Sequence, residues 1–236
     1  MNNGAIVDGI RRARKLLERA GIEFSLNTGR PDSLITPSKF SEDFIMVSQD
    51  EDYDKIHKTA LENADYDILI SDYSFFQFSL DAAGVIRYAY YQSARKVPTY
   101  DEFLKANDLS KDESYAEGER LFSAEYDQLV SEAKLNNSVT PVRYDYNEEQ
   151  YDGILHPISH LHVGHENEIR IPLNMVLTPQ AFIAFILRHI YYEKWKTAVQ
   201  NDPEFLNEYL VFKNSCLAIS DSEKFNIDEK KDLHLA

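Results

Sequence analysis

The sequence predicts an α+β fold in which antiparallel β-hairpins form a mixed-order sheet packed against several α-helices. Three observations lead there. From Tyr66 to Ser93, β-branched and aromatic residues bracket the turn Asp81-Ala82-Ala83-Gly84, the pattern of an antiparallel hairpin. That connection is too short for the crossover helix a parallel pair requires. From Val139 to Leu173, three more extended segments are separated by short polar breaks. Helical periodicity occupies the chain on both sides of these regions.

The elements follow in order. Ile6, Ile10, Ala13, Leu17 and Ala20 recur at helical steps over residues 1–22, with Arg11, Lys15 and Arg19 as an i, i+4 basic stripe on another face. That stripe is either a solvated face or a contact for a partner or nucleic acid. The short apolar run Phe44 to Val47 reads as a strand, followed by the acidic stretch Asp50 to Asp54 and a helix to about Ala64. In the hairpin, Ile68, Ile70, Phe76, Phe78 and Leu80 share one parity. Helices are expected at Tyr100–Asn107 and Ser114–Leu135, the second with Phe122, Tyr126, Leu129 and Ala133 as its apolar stripe. Val139–Tyr146 reads as a strand with Arg143 and Asp145 on one face and Val142, Tyr144 and Tyr146 on the other. A strand pair around Ile158–Val163 and Glu168–Leu173 turns at Gly164. Thr178-Pro179 is an N-cap with proline at the first helical position. It opens an apolar helix to about Lys196, with Phe182, Phe185, Ile186, His189 and Ile190 inward. Residues 200–236 carry one more helix, around Glu204–Val211, and a polar end expected to be mobile.

The chain has 236 residues without an internal repeat or a Gly/Pro/Ser-rich linker, so one domain over 1–236, with its core at 66–196, is the economical reading. Such a chain buries roughly 70% of its unfolded surface and needs no disulfide or metal to hold a core. The lone Cys216 excludes a disulfide framework and a Cys-x-x-Cys zinc ribbon. No apolar run approaches membrane-spanning length and the first residues are not a secretory signal, so a soluble cytoplasmic protein is expected.

Net charge is −15, distributed unevenly. Residues 1–31 carry six basic side chains against Asp8, Glu18 and Glu23, while Glu42–Asp67 and Asp101–Glu132 are strongly acidic. Such a field disfavours bulk nucleic-acid binding through phosphate neutralisation. It leaves room for a basic protein partner or a small local site. From Val139 to Gln200 there are five Arg/Lys, seven Asp/Glu and five of the seven histidines. Chemistry is expected there.

The densest signal is His156-Pro157-Ile158-Ser159-His160-Leu161-His162-Val163-Gly164-His165. In extended backbone His160 and His162 project from one face, and His156 has the same parity. Arg143 and Asp145 on the preceding strand, and Arg170 on the following one, become cross-strand neighbours in an antiparallel sheet. Three readings stay open. In metal-free phosphodiester cleavage, one histidine takes the attacking proton, another protonates the leaving oxygen, and Arg143 or Arg170 stabilises the phosphate. In a metal site, His156, His160 and His162 are ligands, with Asp145 as a ligand or its orienter. In a structural or binding role, the histidines simply satisfy neighbouring carbonyls and tyrosines. No cofactor is implied apart from that divalent metal. His189 reads as a core histidine, Arg188 as the partner of a surface acid, and the hairpin aromatics as core. No Gly-x-x-x-x-Gly-Lys or Gly-x-Gly-x-x-Gly occurs, so no P-loop or Rossmann nucleotide site is supported.

Phe75-Phe76-Gln77-Phe78, Arg87-Tyr88-Ala89-Tyr90-Tyr91, Arg143-Tyr144-Asp145-Tyr146, the His156–Gly164 element, Arg170-Ile171-Pro172 and Leu177-Thr178-Pro179 with the helix after it resemble a bacterial family, domain of unknown function 2290. The His-Pro-x-x-His-x-His-x-Gly element is the most specific part. A similar arrangement in some small toxin families favours the nuclease reading. The resemblance implies a component encoded beside a helicase in antiphage defence loci. On that basis the chain is a nuclease effector working with the helicase, or a non-catalytic acidic adaptor or inhibitory subunit that regulates it. In either case nucleic acid is met through the complex rather than alone, and no membrane is involved.

Overall fold

The computed structural model describes residues 3–27, 40–110, 114–116, 119–219 and 224–232. In chain order the elements are α1 (Asn3–Arg19), β1 (Phe24–Leu26), α2 (Glu42–Asp50), α3 (Tyr53–Glu62), β2 (Ile68–Ile70), β3 (Phe75–Leu80) and β4 (Ile86–Tyr91). Then come α4 (Tyr100–Ala106), β5 (Tyr115–Ala116), β6 (Glu119–Arg120), α5 (Ser123–Glu132), β7 (Val142–Tyr146), β8 (Ser159–Val163) and β9 (Arg170–Pro172). The chain continues through β10 (Met175–Val176), α6 (Pro179–His189), α7 (Tyr192–Asn201), α8 (Pro203–Lys213), β11 (Leu217–Ala218) and α9 (Ile227–Asp232). This is the α+β fold expected. Its main sheet runs β1-β2-β3-β4-β7-β8-β9 with every pair antiparallel.

The strict alternation of side chains along each strand gives this sheet two unlike faces. On the back face Phe76, Phe78, Tyr88, Tyr90, Val142, Tyr144 and Leu161 are buried against α1, α6 and α8. Thr178 caps α6 by accepting from the Ala181 amide, and Pro179 takes the first turn, so the helix starts directly behind the sheet. Its Phe182 ring meets Phe76 and Phe78 edge-on at 6.3 and 6.4 Å. Behind β7 and β8, the Ser159 hydroxyl donates to the Met175 carbonyl at 2.6 Å, and the Tyr144 hydroxyl accepts from the Leu177 amide. The strands that carry the histidines are therefore anchored from the rear. α1 lies close to α6 because Gly9 has no side chain. A Cβ there would lie 2.3 Å from Gln180 Oε1 and 3.0 Å from Pro179 Cδ. Gly9→Val is expected to cost about 1–3 kcal/mol through overpacking, read as a lower urea midpoint with the denaturant slope unchanged.

α2 and α3 cover one end of the front face. Phe75 and Tyr91 pack with Phe44, Ile56 and Ala60 of α2 and α3. His57 on α3 is buried, with Nε2 2.8 Å from the carbonyl of Tyr73, a residue at φ +65 in the β2–β3 turn. Burial pushes the His57 imidazole below its usual range, against the opposing pull of the Tyr73 carbonyl and Asp54. An unfolded histidine titrates near ~6.5. Below that pH the unfolded chain takes up a proton that folded His57 refuses, so stability falls as pH drops. Urea midpoints at pH 7 and pH 5 should therefore lie closer together in His57→Leu than in the parent, whatever the absolute loss.

Five local expectations are corrected. Phe44–Val47 is helical within α2. Ser41 caps it, Glu42 and Asp43 fill its first turn, and Phe44 and Val47 face inward three residues apart, while Ile45 and Met46 are exposed. The long helix over Ser114–Leu135 is replaced by the β5–β6 pair and the shorter α5, in which Tyr126 alone is fully buried. Gly118, between the two strands in sequence, is a poor helix former. The helix after Thr178 ends at His189. Tyr191 leaves it to place its hydroxyl 3.1 Å from that of Tyr90 and to donate to Asp72 Oδ2 at 3.0 Å. His189, expected inward, is exposed, and Arg188, expected to pair with a surface acid, lies over the rings of Tyr192 and Trp195 and has no acid partner among the described residues. In the basic stripe of α1, Arg11 and Lys15 are exposed, whereas Arg19 binds Asp202 and Glu208 of the α8 region. The expected mobility of the C-terminal end falls partly on residues 220–223 and 233–236, outside the described residues, as does Arg30. Among the described residues no helix is long and apolar enough to cross a membrane.

Candidate functional site

The histidines stand on the front face beyond α2 and α3, His160 buried and His162 half-buried. Register places Arg87 opposite Asp145 and Asp145 opposite His160. One row along, Arg143 lies opposite His162 and His162 opposite Arg170. In β4, β7 and β8 these residues alternate with buried neighbours that face the back, and Arg170 has the half-buried Ile171 beside it, so the pleat projects all six forward.

Asp145 is the hub. It is 7% exposed, with Oδ1 accepting from Arg87 Nε at 2.9 Å and Oδ2 from Arg143 Nε at 2.8 Å. His162 Nε2 lies 3.3 Å from the same Oδ2. Burial alone pushes the Asp145 carboxyl up. The hydrogen bond from His162 and the charges of Arg143 and Arg87 outweigh it and hold the carboxyl well below the usual range. The group is a permanent anion at neutral pH.

His160 is 1% exposed, and its Nδ1 sits 2.8 Å from the Pro157 carbonyl. A carbonyl can only accept, so the proton is on Nδ1 and the lone pair is on Nε2. That lone pair points at His162 Nε2, 3.0 Å away. Burial lowers the His160 pKa to about 4, the Pro157 carbonyl and Asp145 only partly opposing it. His160 is therefore neutral at pH 7, and the hydrogen between the two Nε2 atoms belongs to His162. Among the described residues, Asp145, His160 and His162 form a three-residue group whose donor atoms all lie within 4.8 Å of one another.

This geometry brings together five of the six residues singled out from sequence. Arg143, Asp145, His160 and His162 are in contact, and Arg170 stands exposed beside His162. His156 is set apart. It precedes β8 in a bend where it bridges to Asp152, and its ring meets that of His160 edge-on at 5.1 Å. Among the described residues its buried Nδ1 has no hydrogen-bond partner. The facing Nε2 atoms also change the chemistry available. A base and an acid working on opposite sides of a phosphorus need the substrate between them, and 3.0 Å leaves no such room. The two histidines and Asp145 act as one unit.

Arg87 is the member of this cluster that the sequence pattern did not single out. Its signal was a lone cation in an otherwise apolar and aromatic strand, facing the same way as Ala89 and Tyr91. The groove walls were also missed, because they come from remote elements. A hollow of about 320 Å³ is lined by Arg143, His162 and Arg170 together with Tyr53 and His165. A second, of about 520 Å³, runs from Arg87 and Arg143 to Phe40 and Phe44. Both share Ser48, Ala89, Tyr91 and Arg143, so together they form a groove between α2 and the front face. Gly164 closes β8 at φ +92, with Asn167 Nδ2 only 2.1 Å from where a Cβ would stand. That turn carries His165 to the groove wall against Tyr53, ring centres 5.4 Å apart.

The family model of an uncharacterized conserved protein, DUF2290, matches residues 22–236, which spans every residue of this site. No curated protein and no solved structure matches the chain. The chain belongs to the DUF2290 family.

Proposed function

We propose that this protein is the phosphodiester-cleaving component of a bacterial antiphage defence pair, working in the cytoplasm with a helicase. One observation carries the chemistry. In a chain of net charge −15, three arginines converge on the open groove beside a histidine–carboxylate unit. Guanidinium groups bind phosphate oxygens through paired N–H donors and stabilise charge that builds on them. The Asp145–His162–His160 unit lies next to them, and His162, with its hydrogen on Nε2, keeps a lone pair on Nδ1 to take the proton from an attacking water or ribose hydroxyl. The P–O bond to the leaving oxygen then breaks, and that oxygen takes its proton from solvent. The helicase comes from the resemblance to proteins encoded beside one. The acidic exterior suits a subunit that meets nucleic acid through such a partner, because repulsion by its own field opposes stand-alone binding.

Purified protein, alone and with the helicase, should be assayed on labelled RNA and DNA. Cleavage that disappears in His160→Ala plus His162→Ala, with the circular dichroism spectrum kept, is the expected result. Cleavage unchanged by that pair sinks the site.

A second reading is favoured by a different surface. Asp108, Glu125, Asp127 and Glu132 stand exposed around α4 and α5, as an acidic adaptor docking a basic patch of the helicase would require. Charge reversal there should abolish co-purification with the helicase. If phage protection survives His162→Ala but not that reversal, the adaptor replaces the hydrolase.

A further inference from the structure

We infer that Asp145 Oδ2, His160 Nε2 and His162 Nε2 form a binding site for one divalent transition-metal ion, and that an open coordination position of that ion takes a phosphate oxygen beside Arg143. The phosphate half rests on the phosphodiester reading above; the metal half rests on geometry alone.

The three atoms come from two adjacent strands and lie within 4.8 Å of one another, with edges of 3.0 Å between the nitrogens and 3.3 Å from His162 to the carboxylate. Ligands about 2.1 Å from one ion at angles near 90–105° stand roughly 3.0–3.3 Å apart. Two imidazole nitrogens face each other at 3.0 Å, and the Pro157 carbonyl has already fixed the His160 proton on the far side of its ring. The same carbonyl bond is the support that a ligating histidine ordinarily has, since it fixes both tautomer and ring plane. A metal ion would replace the single hydrogen held between His162, His160 and Asp145.

Asp145 can serve the ion and its arginines together. A carboxylate offers about four acceptor positions; Arg87 takes one on Oδ1 and Arg143 one on Oδ2. Charge then decides what else binds. Two guanidiniums and a dication around one carboxylate leave a strong local excess of positive charge, which an anion must offset. Phosphate in the Arg143 hollow meets that need, so metal and phosphate should each tighten the other's binding, reciprocally. Two imidazoles and one carboxylate select zinc, manganese, iron or cobalt; magnesium and calcium prefer all-oxygen sets. His156 stands outside the donor group and packs on the ring of His160.

The test uses the full chain without a polyhistidine tag, stripped by chelator and titrated with Co²⁺, followed by visible absorption and calorimetry. One equivalent of Co²⁺ should bind, yield to Zn²⁺ and ignore millimolar Mg²⁺. Affinity should fall at least about 100-fold in Asp145→Asn and in His162→Ala, and hold in His189→Ala, whose histidine is exposed on α6. His162 is the less buried of the two histidines, so this variant is informative even if His160→Ala fails to fold. Inorganic phosphate should tighten Co²⁺ by about 5-fold or more. Binding below about 0.1 equivalent, binding that survives both substitutions, or equal affinity for Mg²⁺ would overturn the metal site. Metal bound without any tightening by phosphate would overturn the phosphate half. Co²⁺ binding as described with no cleavage of any nucleic acid upholds the metal site and defeats the hydrolase reading. Cleavage by metal-stripped protein, indifferent to chelator, upholds the hydrolase reading and overturns the phosphate half, since the phosphate is then met without the ion.

Discussion

Phe182→Ala is expected to remove about 3–5 kcal/mol of folding stability, the range for truncating a buried phenylalanine. The ring has no exposed surface and sits where α6 meets the sheet, against Phe76, Phe78 and Tyr88 at 5.8–6.4 Å. These partners lie on two different strands, so the cavity cannot close by moving a single side chain, and the loss should fall in the upper part of that range. Domains of this kind have only ~5–15 kcal/mol in total, so the variant should unfold at a much lower urea concentration. Phe182→Leu keeps most of the volume and should cost less than about 1.5 kcal/mol. The two substitutions also separate fold from site. Phe182 is on the back face, and its ring partners Phe76, Phe78 and Tyr88 line neither hollow, so Phe182→Leu should retain metal binding and any cleavage in full. A loss below about 1 kcal/mol for Phe182→Ala would mean that α6 does not hold the back of the sheet.

The back face was legible in sequence because it obeys one local rule. Parity puts Ile68, Phe76, Phe78 and Leu80 together, and Thr178-Pro179 announces the helix that covers them. The same rule set Arg143 and Asp145 on one face and His160 and His162 on another strand's matching face. Elsewhere local rules were silent or misleading. A four-residue apolar run such as Phe44–Val47 fits a strand as well as one turn of a buried helix, and what starts the helix is Ser41, whose hydroxyl accepts from the Phe44 amide and is itself held by Asp65, remote in the chain. Tyr191 breaks its helix for bonds to Asp72 and Tyr90, more than a hundred residues earlier in the chain. For the site, parity supplied the candidates but not their distances. The register between β7 and β8 puts Asp145 rather than His156 into the donor group, and the pairing of β4 with β7 brings in Arg87. The groove itself depends on α2 and α3 covering half of one face, which no periodicity records.

Arg143→Ala is expected to lower cleavage by about 100- to 1,000-fold, the usual effect of removing one donor that stabilises transition-state charge. Arg143 lines both hollows, and its Nε–H holds Asp145, so the terminal amino groups are the part that borders the groove. Its side chain is 44% exposed, which keeps the stability cost of losing the ion pair to about 1 kcal/mol or less. The deficit should therefore appear in kcat/KM with the urea midpoint nearly unmoved. Arg143→Lys retains a charge but not the planar fork, so it should recover only part of the rate. The slope of binding against salt should also fall by about one phosphate contact in Arg143→Ala. Arg170→Ala, whose partner across the sheet is His162, should show a smaller loss of the same kind. If Arg143 and His162 act on one phosphate, the double variant should lose less than the product of the two single losses, because each removes part of the same step. Strictly multiplicative losses would place the two residues on separate tasks, and full cleavage in Arg143→Ala would remove phosphate from this groove.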